Sequence, residues 1–251
     1  MDTLLNRPLG VFLIAFFLLW FAAWVGGRLR ERRGMSEDSK SDFGVILAAT
    51  LTLLGLIIGF SFSMAIARYD LRKMYEEAEA NAIGTEYVRA DVLPPTERAQ
   101  VRGLLKKYID LRIRFYQTRD LDDLRQINLD TAQVQDQLWA AASQPAIAQP
   151  NPVIALAVAG MNDVLNSQGY TQAAWWNRIP LESWLLLAAI ATGCNLLFGY
   201  GAHRTSILFI VLPLAVSLSF FLIADIDSPR GGVIRVQPQN LLSLSQGLHA
   251  H

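Results

Sequence analysis

Residues 43–67 read FGVILAATLTLLGLIIGFSFSMAIA, and residues 68–92 continue as RYDLRKMYEEAEANAIGTEYVRADV. The first stretch is apolar throughout and exceeds the ~20 residues that cross a hydrocarbon core as a helix. The second is charged but keeps helix-forming residues and holds no proline. One helix is therefore expected to leave the bilayer and run on to about Val92, where Pro94-Pro95 ends it. At ~1.5 Å per residue, a helix of about fifty residues reaches about 75 Å, far beyond a membrane.

Three other apolar clusters lie near 8–27, 181–200 and 206–225, and more than half of the 251 residues are hydrophobic. The expected fold is an all-α membrane protein: four transmembrane helices, with a helical extramembrane domain inserted between the second and third. Its parts are 1–67 (spans at about 8–27 and 43–67, joined by a basic loop 28–42), the domain 68–180, the hairpin 181–225 and a tail 226–251. The first span reads as a retained helix, since its positive charges follow it, at Arg28, Arg30, Arg32 and Arg33. Net charge is zero, so nothing points to nucleic acid. The lone Cys194 excludes an intramolecular disulfide and thiol-rich metal sites. The expected partners are the lipid bilayer and further copies of the same chain.

Within 68–180 the clearest pattern is an amphipathic helix over about 97–118, with Val101, Leu104, Leu105, Tyr108, Leu111 and Phe115 on one stripe. One or two shorter helices are expected over 119–143, with Leu129, Val134, Leu138 and Trp139 as core residues. Pro145, Pro150 and Pro152 suggest a loop. A helix over about 153–166 buries Val153, Leu156, Ala157, Gly160, Met161 and Val164, and a turn at Gly169 follows. Trp175, Trp176 and Trp184 suggest an aromatic belt where the chain re-enters the membrane. Pro213 is expected to kink the fourth span. Val233 to Val236 alternates briefly, as an extended segment does.

Orientation follows Lys and Arg in short loops. One side collects Arg28, Arg30, Arg32, Arg33, Lys40 and Arg204, and the other Arg7, Arg230 and Arg235. Six against three places the short loops in the cytoplasm of an inner (cell) membrane and the 68–180 domain outside it.

No enzyme signature is present: H-E-x-x-H, P-loop and G-x-S-x-G are all missing. No catalytic residue, cofactor or metal is expected. The histidines are His203, in a turn, and His249 and His251, at the chain end. The second span is the most informative. Thr52, Gly55, Gly59 and Ser63 make a small-residue face suited to close helix packing or to lining a pore. Ile58, Phe62 and Ile66 recur at i, i+4, i+8, as a candidate apolar constriction. In the third span Ala189 and Gly193 suggest another close contact, and Asn195 should face protein. No ionisable residue lies deep in a span, which argues against an ion-coupled pump. Asp225 and Asp227 close the fourth span against the helix dipole. An interfacial ion-pair cluster of Arg68, Arg72, Asp225, Asp227 and Arg230 is expected to offset them.

Several of these segments carry a resemblance. They are Ser41-Asp42-Phe43-Gly44, Arg68-Tyr69-Asp70, Glu79-Ala80-Asn81-Ala82-Ile83-Gly84-Thr85 and Phe198-Gly199. The most specific runs from Asp227-Ser228-Pro229-Arg230-Gly231-Gly232-Val233-Ile234-Arg235-Val236 to Gln237-Pro238. Together they resemble the bacterial bestrophin-like membrane proteins of unknown function, over nearly the whole chain. Gly231 and Gln239 depart from the aromatic and the carboxylate that family members more often carry there. The resemblance implies kinship to bestrophins, pentameric anion channels with four membrane helices and a helical domain after the second. That domain is cytoplasmic in bestrophins, whereas charge counting puts this one outside, and no acidic calcium-ligand cluster like theirs is found. The expected function is an oligomeric ion channel or pore lined by the second span. The alternative is a non-catalytic sensor or scaffold that displays the helical domain.

Overall fold

The computed structural model describes residues 7–33, 37–201 and 208–249. Among these residues the elements are α1 (Pro8–Arg33), α2 (Glu37–Arg89), a 3-10 turn (Ala90–Val92), α3 (Pro95–Gln117), α4 (Leu121–Ala148), α5 (Pro152–Trp176), α6 (Leu181–Gly201), α7 (Leu208–Asp227) and α8 (Gln239–His249). Among the described residues, four helices are long and apolar enough to cross a membrane. The turn holding His203 and Arg204 lies outside the described residues, as do His251 and the side chains of Arg33 and Lys40.

Two compact units divide the chain: residues 1–69 with 178–235, and residues 70–177 with 236–251. The first, apolar unit packs α1 against α6 and α7. Its core joins Leu19, Leu54, Ala65, Leu187, Ala191, Phe220 and Ile223. The α1–α6 contact depends on two glycines. A Cβ on Gly26 would collide with the Leu196 carbonyl, and one on Gly199 with the Ala23 carbonyl. Without a hydrophobic drive between helices in lipid, such backbone approach is the main source of attraction. Among the described residues, a Cβ on Gly193 meets nothing within 4 Å, so the expected contact there is not made by them. Asn195 is fully buried, as expected, and donates to the Ala191 carbonyl at 2.8 Å.

Helix α1 continues through Arg28, Arg30 and Arg32, which the sequence placed in a loop. Its last turns hold no helix breaker apart from Gly26 and Gly27, and Arg30 donates to the Gly201 carbonyl at 2.8 Å. Helix α7 continues through Pro213, which stands in its second turn and removes a single intrahelical bond.

The second, polar unit packs α3 on α4, α4 on α5, and α8 on α3. Helix starts follow local chemistry. Asp120 accepts from the Asp122 and Asp123 amides to cap α4, and Asn151 accepts from Val153 to cap α5, with Pro152 at its first position. The core takes Val101, Leu105, Tyr108 and Phe115 from α3, Val134 and Leu138 from α4, and Ala157, Met161 and Val164 from α5.

Several sequence readings need correcting here. Helix α4 is a single helix, as one of the two expected alternatives, but it extends through Pro145, which sits in its last turn and is buried. Helix α5 runs past Gly169 to Trp176, because Ser167, Thr171, Ala174 and Trp175 bury the following turns. Leu129, Trp139, Val153 and Leu156 are exposed. The aromatic belt does not form as one surface. Trp175 is buried on Phe115 and Tyr116 at ring distances of 5.0 and 5.3 Å, and Trp184 is buried on Phe220 at 6.2 Å. Of the three tryptophans, only Trp176 is exposed. Helix α8 follows where only a tail was expected.

Candidate functional site

Helix α2 has two opposite faces along its length. The inward stripe is Leu54, Ser61 and Ala65 in the apolar unit, then Arg72, Glu76, Glu79, Ile83 and Glu86 in the polar unit, all buried. Steps of three, four and seven residues keep these positions on one face. About half a turn away, Thr52, Gly55, Gly59 and Ser63 are all exposed, and a Cβ on Gly55 or Gly59 meets nothing within 4 Å. The Thr52 hydroxyl donates to the Ala48 carbonyl at 2.9 Å, which hides its proton within the helix. Asp70, Glu77 and Asn81 carry the exposed face onward. Only 6% of the apolar window of α2 is buried inside the chain, against 33% for α1 and 50% for α7.

The constriction residues do not share one environment. Ile58 is half-buried against the core, while Phe62 and Ile66 are exposed. A row at i, i+4, i+8 advances ~40° per step around a helix, so it drifts from the inner face toward the outer one.

Asp225 and Asp227 are both buried, and backbone amides serve them. The two oxygens of Asp225 accept from the Val233 and Ile234 amides, each at 2.8 Å. Both oxygens of Asp227 accept from the Ile179 amide at 3.2 Å. The Ser228 hydroxyl accepts from the Gly231 amide at 3.1 Å. Gly232 allows the fold-back, since a Cβ there would collide with the Asp225 carbonyl. These N–H donors offset carboxylates placed at the unfavourable end of a helix dipole. The Ser-Pro and Gly-Gly pairs after the two aspartates were the available signal for this turn. Arg68 and Arg230 belong to the same unit, and Arg72 to the polar unit.

In the polar unit the inward charges of α2 hold the ends and sides of other helices. Arg72 donates to the Ala174 and Asn177 carbonyls at 3.2 and 3.3 Å, where a cation suits the C-terminus of α5. Glu76 accepts from the Asn240 side chain at 2.6 Å and the Leu241 amide at 3.0 Å, where a carboxylate suits the N-terminus of α8. Glu79 pairs through both oxygens with Arg112 and accepts from the Thr171 hydroxyl at 3.1 Å. Arg112 also lies over the Phe115 ring, 4.4 Å from its centre. Burial is the largest influence on Arg112 and works against its charge, but the charge and hydrogen bond of Glu79, with Tyr108 and Tyr116, together outweigh it and raise its pKa. Burial, with Glu79 adding, pushes the hydroxyls of Tyr108 and Tyr116 up, so both stay neutral.

Glu86 differs from these. It is fully buried, and neither of its oxygens has a hydrogen-bond partner among the described residues. Burial pushes its pKa up to about 8, with Arg89 opposing and Asp163 adding to the rise. Sequence reading missed this set because charges spaced along a helix usually mark a solvated face. The available signal was their register: they continue the stripe of Leu54, Ser61 and Ala65. Among the described residues, no three His, Cys, Asp or Glu side chains gather as metal ligands.

The fold and the exposed face of α2 together define an all-helical membrane protein with four candidate spans and a continuous second helix. The Bestrophin-like domain model matches residues 11–241, and the chain belongs to that family. The crystal structure of a bacterial bestrophin homolog from Klebsiella pneumoniae, solved by Zn-SAD phasing, is similar at 14% identity and TM-score 0.64. That match covers 97% of this chain and 98% of the other. A variant of the same Klebsiella pneumoniae homolog aligns at 14% identity and TM-score 0.63, with the same coverage. At this identity the likeness establishes the fold. No curated protein matches the chain.

Proposed function

We propose that the chain assembles with further copies of itself into an ion channel or pore whose path is lined by the Thr52, Gly55, Gly59 and Ser63 face of α2. The observation that carries the proposal is the exposure of this small, polar face on a helix otherwise rich in large apolar residues. A lipid-facing surface gains nothing from glycines and hydroxyls, whereas a close helix contact or a wetted path uses both. Leu56 and Phe60, exposed beside it, suit lipid or a neighbouring subunit. Family membership supports the reading.

The test is reconstitution of purified protein in planar bilayers. Conductance altered by Gly59→Leu or Phe62→Ala is the expected result. A monomeric or dimeric particle with no axial opening, and no current, overturns it. The continuity of α2 through both units favours one second reading, a scaffold or sensor that displays the polar unit. That reading predicts no conductance and a co-purifying partner.

We further propose that residues 68–180 form an extramembrane domain outside the cytoplasm, as the basic residues of the short loops favour. An exported-only phosphatase fused at about residue 140 should be active. An expressed but inactive fusion reverses the orientation.

A further inference from the structure

Each inward charge of α2 in the polar unit has a structural task except one. Arg72 serves the end of α5, Glu76 the start of α8, and Glu79 the Arg112 guanidinium. Glu86 makes no hydrogen bond, although it is as deeply buried as the others. It lies against Gly160 of α5, so closely that a Cβ there would collide with its carboxyl group and with Arg89. Gly160 thus leaves a space that Glu86 fills without a donor to neutralise it.

A buried carboxyl group with no donor is stable only when protonated. The charged groups facing Glu86 are Arg89 from its own helix and Asp163 from α5. These two pair with each other at 3.7 Å, more than a third exposed, so the cation is shared with a competing acid. Asp91 of the adjoining 3-10 turn is taken up by Arg98 and Arg102, at 3.7 and 2.8 Å. Among the described residues, no cation is therefore dedicated to Glu86.

We infer that Glu86 is a proton-binding site at the contact between α2 and α5, which holds the two helices together when protonated and loosens them when its proton leaves. Its folded-state pKa of about 8 lies above the ordinary carboxylate value of 4.5. The stabilisation is then complete below the ordinary value, declines as pH rises, and is gone above about 8. One proton is involved, so the local opening constant should rise about tenfold per pH unit across that window. The site lies 19 residues beyond Ala67, well outside the apolar stretch of α2. The inference stands whether or not the protein conducts ions.

Hydrogen exchange of the full-length protein in detergent tests it, followed in peptides over 82–90 and 157–166 and corrected for the intrinsic pH dependence of exchange. Wild type should show the tenfold rise per pH unit, and Glu86→Gln should show none. The same slope in Glu86→Gln as in wild type overturns the proposal. Should that variant fail to fold, Asp163→Asn decides alone. Removing the neighbouring acid should move the upper end of the window to lower pH, and an unmoved window overturns the proposal.

Discussion

The two halves of α2 present one inward stripe with opposite chemistry. In the apolar unit the stripe is Leu54, Ser61 and Ala65, small or aliphatic, and it packs by shape. In the polar unit the same register carries Arg72, Glu76, Glu79 and Glu86. There, three of the four charges are satisfied by helix ends or by Arg112, and the fourth is left to a proton. A helix can thus keep one buried face through two surroundings if the means of attachment changes. In the apolar unit side chains packed into the core do the work. In the polar unit charge-assisted hydrogen bonds add direction and register.

The largest test of this contrast is Glu79→Ala. It strands the Arg112 guanidinium in the core, and breaking a buried pair from one side costs about 3–5 kcal/mol. Denaturant unfolding should show that loss. Replacing Glu79 and Arg112 together with leucines should recover much of it, because the uncompensated charge goes with the pair. A loss below about 1 kcal/mol for Glu79→Ala would mean that water reaches the pair.

Next in size is Gly199→Val, which drives a side chain into the Ala23 backbone. Overpacking of this kind costs about 1–3 kcal/mol. Gly193→Ala, six residues earlier with open space around it, should stay within about 0.5 kcal/mol. Similar effects at both would remove the backbone contact as the basis of the α1–α6 packing. A comparable loss, about 1–3 kcal/mol, is expected for Glu76→Ala, which leaves the Leu241 amide buried without its acceptor. Limited proteolysis should then cut near α8 sooner than in wild type.

The smallest effect on the single chain belongs to the outward face. Gly55→Ala and Gly59→Ala meet nothing within 4 Å and should change unfolding by no more than about 0.5 kcal/mol. If the face packs or lines a path between copies, the same substitutions should change particle size or conductance. A change in chain stability without either would assign the glycines to folding instead.

Four apolar helices, and the run of the second on past its apolar stretch, follow from composition alone. Hydrophobic length and the missing proline are local properties that no later packing revises. The interior of the polar unit was harder to read. Ala157, Met161 and Val164 were legible as core, because an apolar residue at helical spacing has one common explanation. Arg112 and Glu79 were not, because a charged residue is normally solvated and only its partner's position shows otherwise. Pro145 and Gly169 misled for a related reason: local breakers lose to tertiary packing when the turns around them are buried.

At Gly26, Gly199 and Gly232 the residue type was visible from the start, but its purpose was not. A glycine matters where another backbone comes near, and that neighbour is set by the path of the whole chain. The aspartates at the end of α7 show the same division. Their position against the helix dipole was evident from the sequence and called for compensation. That backbone amides of Ile179, Val233 and Ile234 supply it was decided only when residues 178–179 and 231–234 came together in the fold. Sequence determined which stretch of α2 is apolar and which is charged. Tertiary structure decided which of its charges are buried, because burial depends on what the other helices bring to that face.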